Sequence, residues 1–170
     1  MDIYLILTIV SYILFALSII MIPYKRNNTL KEAGNMILGF PVPPSKKTLL
    51  VQIVGFVLIT IVFFIRYEIL ITIILCACGI LGAWIVMPEA ALGSKYGLYE
   101  NGIIAVGKFI PYEDIMAFPI LSLPKSEQMN HPQNVLTLVS RKYGKLELYF
   151  ENDEICMEVI RQLRQMRVIK

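Results

Sequence analysis

Residues 69–87 read ILITIILCACGILGAWIVM, a run without one charged side chain. Two similar runs precede it, IYLILTIVSYILFALSIIMI at residues 3–22 and TLLVQIVGFVLITIVFFI at residues 48–65. A helix rising about 1.5 Å per residue crosses a hydrocarbon layer about 30 Å thick in about 20 residues. Each run has about that length, so the three are expected to be transmembrane helices. Residues 94–170 are ordinary soluble sequence with strand and helix signals. The expected architecture is a membrane anchor over residues 1–93, with a loop at residues 23–47, and one small α+β domain behind it.

Composition leads the same way, because 56% hydrophobic and 17% charged residues is too apolar for a typical soluble chain of 170 residues. The net charge of +3 is unevenly spread. Residues 89–170 carry ten Lys or Arg against ten Asp or Glu, whereas residues 23–47 carry Lys25, Arg26, Lys31, Lys46 and Lys47 against Glu32 alone. Basic excess beside a membrane helix sets orientation and gives no nucleic-acid footprint. The positive-inside rule places residues 23–47 in the cytoplasm and the amino terminus outside. With three helices, the carboxyl-terminal domain is then expected at the cytoplasmic face of the inner (cell) membrane. The first run lacks the positive leader, short apolar core and small-residue cleavage site of a removable signal, so it is expected to stay as a helix.

Small residues mark a helix seam. Cys78, Gly79, Gly82 and Ala83 in the third run and Gly55 in the second let backbones approach where no hydrophobic effect drives association. No ionisable residue lies in a span and Gln52 is the one strongly polar side chain there, which argues against a pump or ion pathway. Cys76 and Cys78, about 200° apart around a helix, and Cys156 form no metal or disulfide framework. In the loop, Thr29 and Glu32 form a capping box ahead of Leu30, Ala33, Met36 and Ile37, predicting a short helix stopped by Gly39 and Pro41. Pro41, Pro43 and Pro44 read as a stiff spacer.

The domain begins with strand signals at residues 96–100 and 103–106 around Asn101-Gly102, the pair best suited to a type I′ hairpin. Gly107-Lys108 reads as a second tight turn into Phe109-Ile110. Residues 115–123, interrupted by Pro119, read as an edge strand or bulge. Residues 135–140 and 146–150 read as a second hairpin. Asn152 is a good N-cap for a final helix whose Ile155, Val159, Ile160, Leu163 and Met166 recur at helical spacing.

This order of elements, with Gly97-Leu98-Tyr99-Glu100-Asn101-Gly102-Ile103 followed by Gly107-Lys108-Phe109-Ile110-Pro111-Tyr112-Glu113-Asp114-Ile115, resembles the bacterial pleckstrin-homology-like (PH-like) domains carried behind transmembrane helices. The resemblance covers residues 96–167. It implies a bent antiparallel sheet or partial barrel closed by the last helix, and no particular activity, since the fold serves lipid, peptide and protein binding and self-assembly. Read this way, the domain is a strand or two short of the seven in a full PH domain.

No catalytic constellation stands out. His131, the chain's one histidine, lies in a polar loop, and Glu113-Asp114 reads as a helix-start cap. Two basic groups remain as contacts for anionic lipid or a partner: Arg141, Lys142 and Lys145 around one hairpin turn, and Arg161, Arg164 and Arg167 on the last helix. The latter also complement the helix's negative end. The expected function is that of a non-enzymatic multi-pass membrane protein whose cytoplasmic PH-like domain mediates protein interaction or assembly. The alternative is an accessory subunit of a transport or export complex. Expected partners are membrane lipids and either a protein partner or further copies of the chain, with no nucleic acid, metal or cofactor.

Overall fold

The computed structural model describes residues 3–40, 46–65, 68–122, 134–166 and 168. The chain divides into two compact units, Met1–Asn28 with Pro44–Ala91 and Thr29–Pro43 with Leu92–Lys170. Three helices supply the first unit: α1 (Ile3–Ala33), α2 (Lys46–Phe64) and α3 (Ile69–Leu92). Helices α1 and α3 are long and apolar enough to cross a membrane, and only 22% of the most apolar stretch of each is buried within the protein.

The first unit buries small and polar residues together with a few large apolar ones. Gly55 and Gly79 meet backbone to backbone, since a Cβ added at Gly79 would stand 2.7 Å from the Gly55 carbonyl oxygen, and one at Gly55 would stand 2.8 Å from that of Gly79. Phe15, Ile59 and Ala83 form a buried cluster flanked by Tyr12 and Ile80. Tyr12 and Thr60 share a hydroxyl hydrogen bond of 2.9 Å between α1 and α2. The buried hydroxyls of Thr8, Ser11 and Ser18 donate to carbonyls of their own helix at 2.6–2.8 Å, so these polar groups stay satisfied away from water.

Among the described residues the second unit holds seven strands and a closing helix. One sheet has the order β1 (Met36–Gly39), β2 (Gly97–Tyr99), β3 (Gly102–Ala105), β4 (Lys108–Pro111). The other has the order β5 (Ile115–Ala117), β6 (Val135–Ser140), β7 (Gly144–Tyr149), and every pairing is antiparallel. Leu98, Ile103, Ile104, Ile110, Leu136, Leu138 and Leu148 are buried from the strands. Helix α4 (Asp153–Gln165) adds Cys156, Val159 and Leu163 from one face. Asn152 caps α4, its Oδ1 accepting from the Ile155 amide at 2.9 Å. Burial, with the Asp153 charge second, pushes the Cys156 thiol up to about 11.

Several sequence expectations change here. No separate loop helix forms: α1 runs on through Pro23 to Ala33, because extending an existing helix is easier than nucleating another. It stops at Gly34, whose φ of +81° suits glycine and whose amide reaches back to Leu30 O at 3.1 Å. Met36 and Ile37 then belong to β1, a strand that the segment between α1 and α2 adds beside β2. The compact unit accordingly takes in residues 29–43 as well as the expected domain. Helix α3 likewise continues past Met87 through Pro88. The left-handed pair is not Asn101-Gly102 but Val106-Gly107, at φ 51° and 66°, joining Ala105 to Lys108. Residues 115–122 split into β5, which pairs irregularly with β6, and a 3-10 turn from Pro119 to Ser122. His131, Pro41, Pro43, Pro44, Arg66, Tyr67 and Arg167 lie outside the described residues.

Candidate functional site

Two turns of the second unit converge on one aromatic ring. The β3–β4 turn ends at Lys108, whose Nζ lies 4.7 Å from the centre of the Tyr143 ring. Tyr143 belongs to the β6–β7 turn, and Lys142 Nζ lies 5.4 Å from the same ring. Two ammonium groups thus lie near one aromatic ring, which favours cations electrostatically, and an anion binding there would offset their mutual repulsion. The ring is held by local chemistry: Ser140 Oγ accepts from the Lys142 and Tyr143 amides at 3.2 and 3.4 Å, and Gly144 turns back into β7 with φ 70°. The Arg141 amide donates to Asp114 O at 2.8 Å, tying this turn to the start of β5.

The basic residues expected from sequence are redistributed. Arg141 and Lys142 are exposed on this turn. Lys145 instead pairs with Glu147 at 3.0 Å, and that carboxylate also accepts from Tyr149 Oη at 2.7 Å. These contacts, the tyrosine's first, hold the Glu147 carboxyl below its ordinary range. Arg161 pairs with Glu158 at 2.8 Å one turn away on α4, and Arg164 is exposed further along. Lys108, more than thirty positions before Lys142, joins the cluster without any local signal to announce it. Among the helix-seam residues, Gly55 and Gly79 are brought together, Ala83 is buried, Gly82 leaves ordinary contact space beside Val51, and Cys78 is exposed.

At the other end of the four-stranded sheet lies an open groove of about 420 Å³, lined by Glu32, Glu100, Asn101, Phe109, Pro111, Tyr112 and Glu113. Glu100 accepts from Asn35 N and Nδ2, both at 3.0 Å, and these bonds hold its carboxyl below the ordinary value, the backbone amide first. Asn101 caps the end of α1, donating to Ala33 O at 3.0 Å from its amide and to Glu32 O at 2.9 Å from Nδ2. Tyr112 Oη donates to Tyr99 O at 2.7 Å, and burial pushes this phenol up to about 12. Among the described residues no three His, Cys, Asp or Glu side chains group closely enough to hold a metal ion.

No protein-family model, curated protein or solved structure matches this chain.

Proposed function

We propose that this is a three-span membrane protein whose second unit is a PH-like domain on the cytoplasmic side, working there as a protein-interaction or assembly module and not as an enzyme. The observation that carries the reading is the pairing of β1 with β2, because β1 precedes α2 and β2 follows α3. A helix hairpin whose two ends join neighbouring strands must have both ends on one side of a bilayer. If α3 crosses, α2 crosses as well, and α1 makes three. Lys25, Arg26, Lys46 and Lys47 then orient that side toward the cytoplasm.

Large exposed apolar side chains support the bilayer. Ile20, Leu49, Leu70 and Ile85 are each more than 60% exposed, and an apolar surface of this extent is stable against lipid but not against water. Four strands and then three, followed by a closing amphipathic helix, support the PH-like reading of the second unit. The mutual engagement of Gly55 and Gly79 uses the small-residue seam within the chain, which gives less room to the alternative of an accessory subunit docking through that seam.

Two measurements test this. Single cysteines replacing Tyr24 and Met157, both exposed, should be shielded from an impermeant reagent in intact cells and labelled once the membrane is opened. Capture of the tagged full-length chain from its native membrane should return one near-stoichiometric partner, or further copies of the chain, and Leu163→Ala should weaken that capture. Labelling of Met157→Cys from outside, or recovery of a lone monomer, would overturn the reading.

A further inference from the structure

We propose that one end of the second unit is a bilayer-contact surface, in which Lys108, Lys142 and Arg141 bind anionic lipid headgroups around an apolar tip made by Val106 and Tyr143. The proposal deepens the membrane reading above and rests on it. The four-stranded sheet has two distinguishable ends. Gly39 pairs with Gly97, Gly97 with Ile104, and Ile104 with Phe109, so the last residue of β1, the first of β2 and the β3–β4 turn share one end. The Gly107 amide donates to Tyr96 Oη at 2.6 Å and the Phe40 amide to Tyr96 O at 3.1 Å. The Val106-Gly107 turn is thereby pinned to the place where the chain departs for α2 and returns from α3.

The return path is short. Five helical residues after Met87, a three-residue 3-10 turn and Tyr96 amount to no more than about 17 Å before β2 begins. Headgroup regions add about 5–7 Å to each side of the hydrocarbon, and lysine and arginine side chains extend several ångströms further, so the tether is short enough for this end of the sheet to contact lipid.

The chemistry at this end fits an anionic surface. Among the described residues, Lys108, Arg141 and Lys142 make no ion pair, while Lys145 on the same hairpin is neutralised by Glu147. Val106 is 47% exposed at a positive φ, an uncommon and strained conformation for a β-branched residue, and it presents an apolar side chain at the tip of the turn. The opposite end of the sheet, where Met36 pairs with Tyr99 and Gly102 with Pro111, carries the groove with Glu32, Glu100 and Glu113. An anionic leaflet attracts the first end and repels the second.

The test uses the full chain in vesicles with Trp84, its one tryptophan, changed to phenylalanine. Val106→Trp then reports on the basic end and Met36→Trp on the acidic end, with lipids carrying a headgroup quencher. In phosphatidylcholine mixed with phosphatidylglycerol, Val106→Trp should be quenched severalfold more than Met36→Trp, and the difference should shrink in phosphatidylcholine alone. It should also shrink as salt rises from about 0.1 M to about 1 M and the screening length falls from about 10 Å to about 3 Å. Lys108→Gln with Arg141→Gln and Lys142→Gln should lower the docked-to-undocked ratio about a hundredfold, and the matching Lys→Arg changes should preserve it. Equal quenching at the two positions, or quenching indifferent to the Gln changes, overturns the proposal. Alkaline extraction separates the two levels: a chain that stays in the vesicles with Val106→Trp unquenched sinks this inference alone, whereas a chain that is extracted sinks the membrane reading with it.

Discussion

The two units of this chain differ in what they leave exposed: the first shows apolar side chains over most of its surface, the second charged ones. In the first, Ser11, Ser18, Thr72, Gly55, Gly79 and Ala83 are inside beside Phe15, Ile59 and Val62, and most isoleucines and leucines are outside. In the second, Leu98, Ile103, Leu138 and Leu163 are inside, while lysines, arginines and glutamates cover the surface. Water drives the second arrangement by expelling apolar area, worth about 25 cal/mol per Å². Lipid offers no such drive, so helices associate through close packing and hydrogen bonds. The same chain therefore obeys two packing rules, and substitutions can be chosen that are ruinous under one and tolerable under the other.

The largest expected effects come from reversing the rule in each unit. Gly79→Leu puts a side chain against the Gly55 carbonyl, backbone that cannot rotate away, and should cost about 3 kcal/mol or more in detergent-solubilised protein. Leu163→Ala removes a fully buried side chain of α4 and should cost about 3 kcal/mol. Denaturant titration followed by far-UV circular dichroism reads the first, and protease resistance of the second unit reads the other. If Gly79→Leu proves silent, the close helix crossing is not what holds the first unit together.

Gly34→Ala comes next, at about 2 kcal/mol. It forces an L side chain into φ +81°, costing about 1–2 kcal/mol, and aims its Cβ at Glu100 Oε2, 2.6 Å away. A thermal shift of a few degrees in the second unit checks it. An unchanged midpoint would mean that the bend between α1 and β1 is held less tightly than the Glu100–Asn35 bonds imply.

Thr72→Val should act in the opposite direction. Among the described residues the buried Thr72 hydroxyl has no hydrogen-bond partner, and replacing it with a methyl of similar shape should stabilise the first unit by about 1 kcal/mol. The same substitution at Thr60, which is bonded to Tyr12, should instead cost about 0.6 kcal/mol. Equal effects at the two sites would erase the distinction between satisfied and unsatisfied hydroxyls in this helix packing.

Much of this plan was legible from local pattern. Charge-free runs located the helices, Asn152 located the start of α4, and the small residues around Gly79 marked the crossing. What escaped were long-range pairings. Met36–Gly39 carries no strand signal strong enough to outweigh the capping box before it, and its partner β2 is some sixty residues away. Lys108 joins Lys142 because the turns of two different sheets meet at Tyr143, a relation that no sequence window contains. Asn101-Gly102 misled because its turn chemistry is real but is spent elsewhere: Asn101 caps α1, leaving Val106-Gly107 to adopt the left-handed turn.

The smallest effect is the most specific. Glu100 is fully exposed, yet it accepts two bonds from Asn35, the backbone amide contributing more than the side chain, and these hold its carboxyl below the ordinary value of 4.5. A carboxylate depressed on folding adds stability that is fully present above its unfolded pKa and is lost as pH falls through the folded one. Wild type should therefore melt above Glu100→Gln at neutral pH, where the anion accepts from Asn35 while the Gln amide offers one acceptor fewer. The gap should close as pH drops from about 5 toward 3, since protonation makes the wild-type side chain neutral as well. Thermal midpoints of both proteins across that range decide the matter. A gap that persists unchanged at low pH would assign the difference to the shape of the β2–β3 turn and not to charge, and would remove the electrostatic part of the lock between α1 and the sheet.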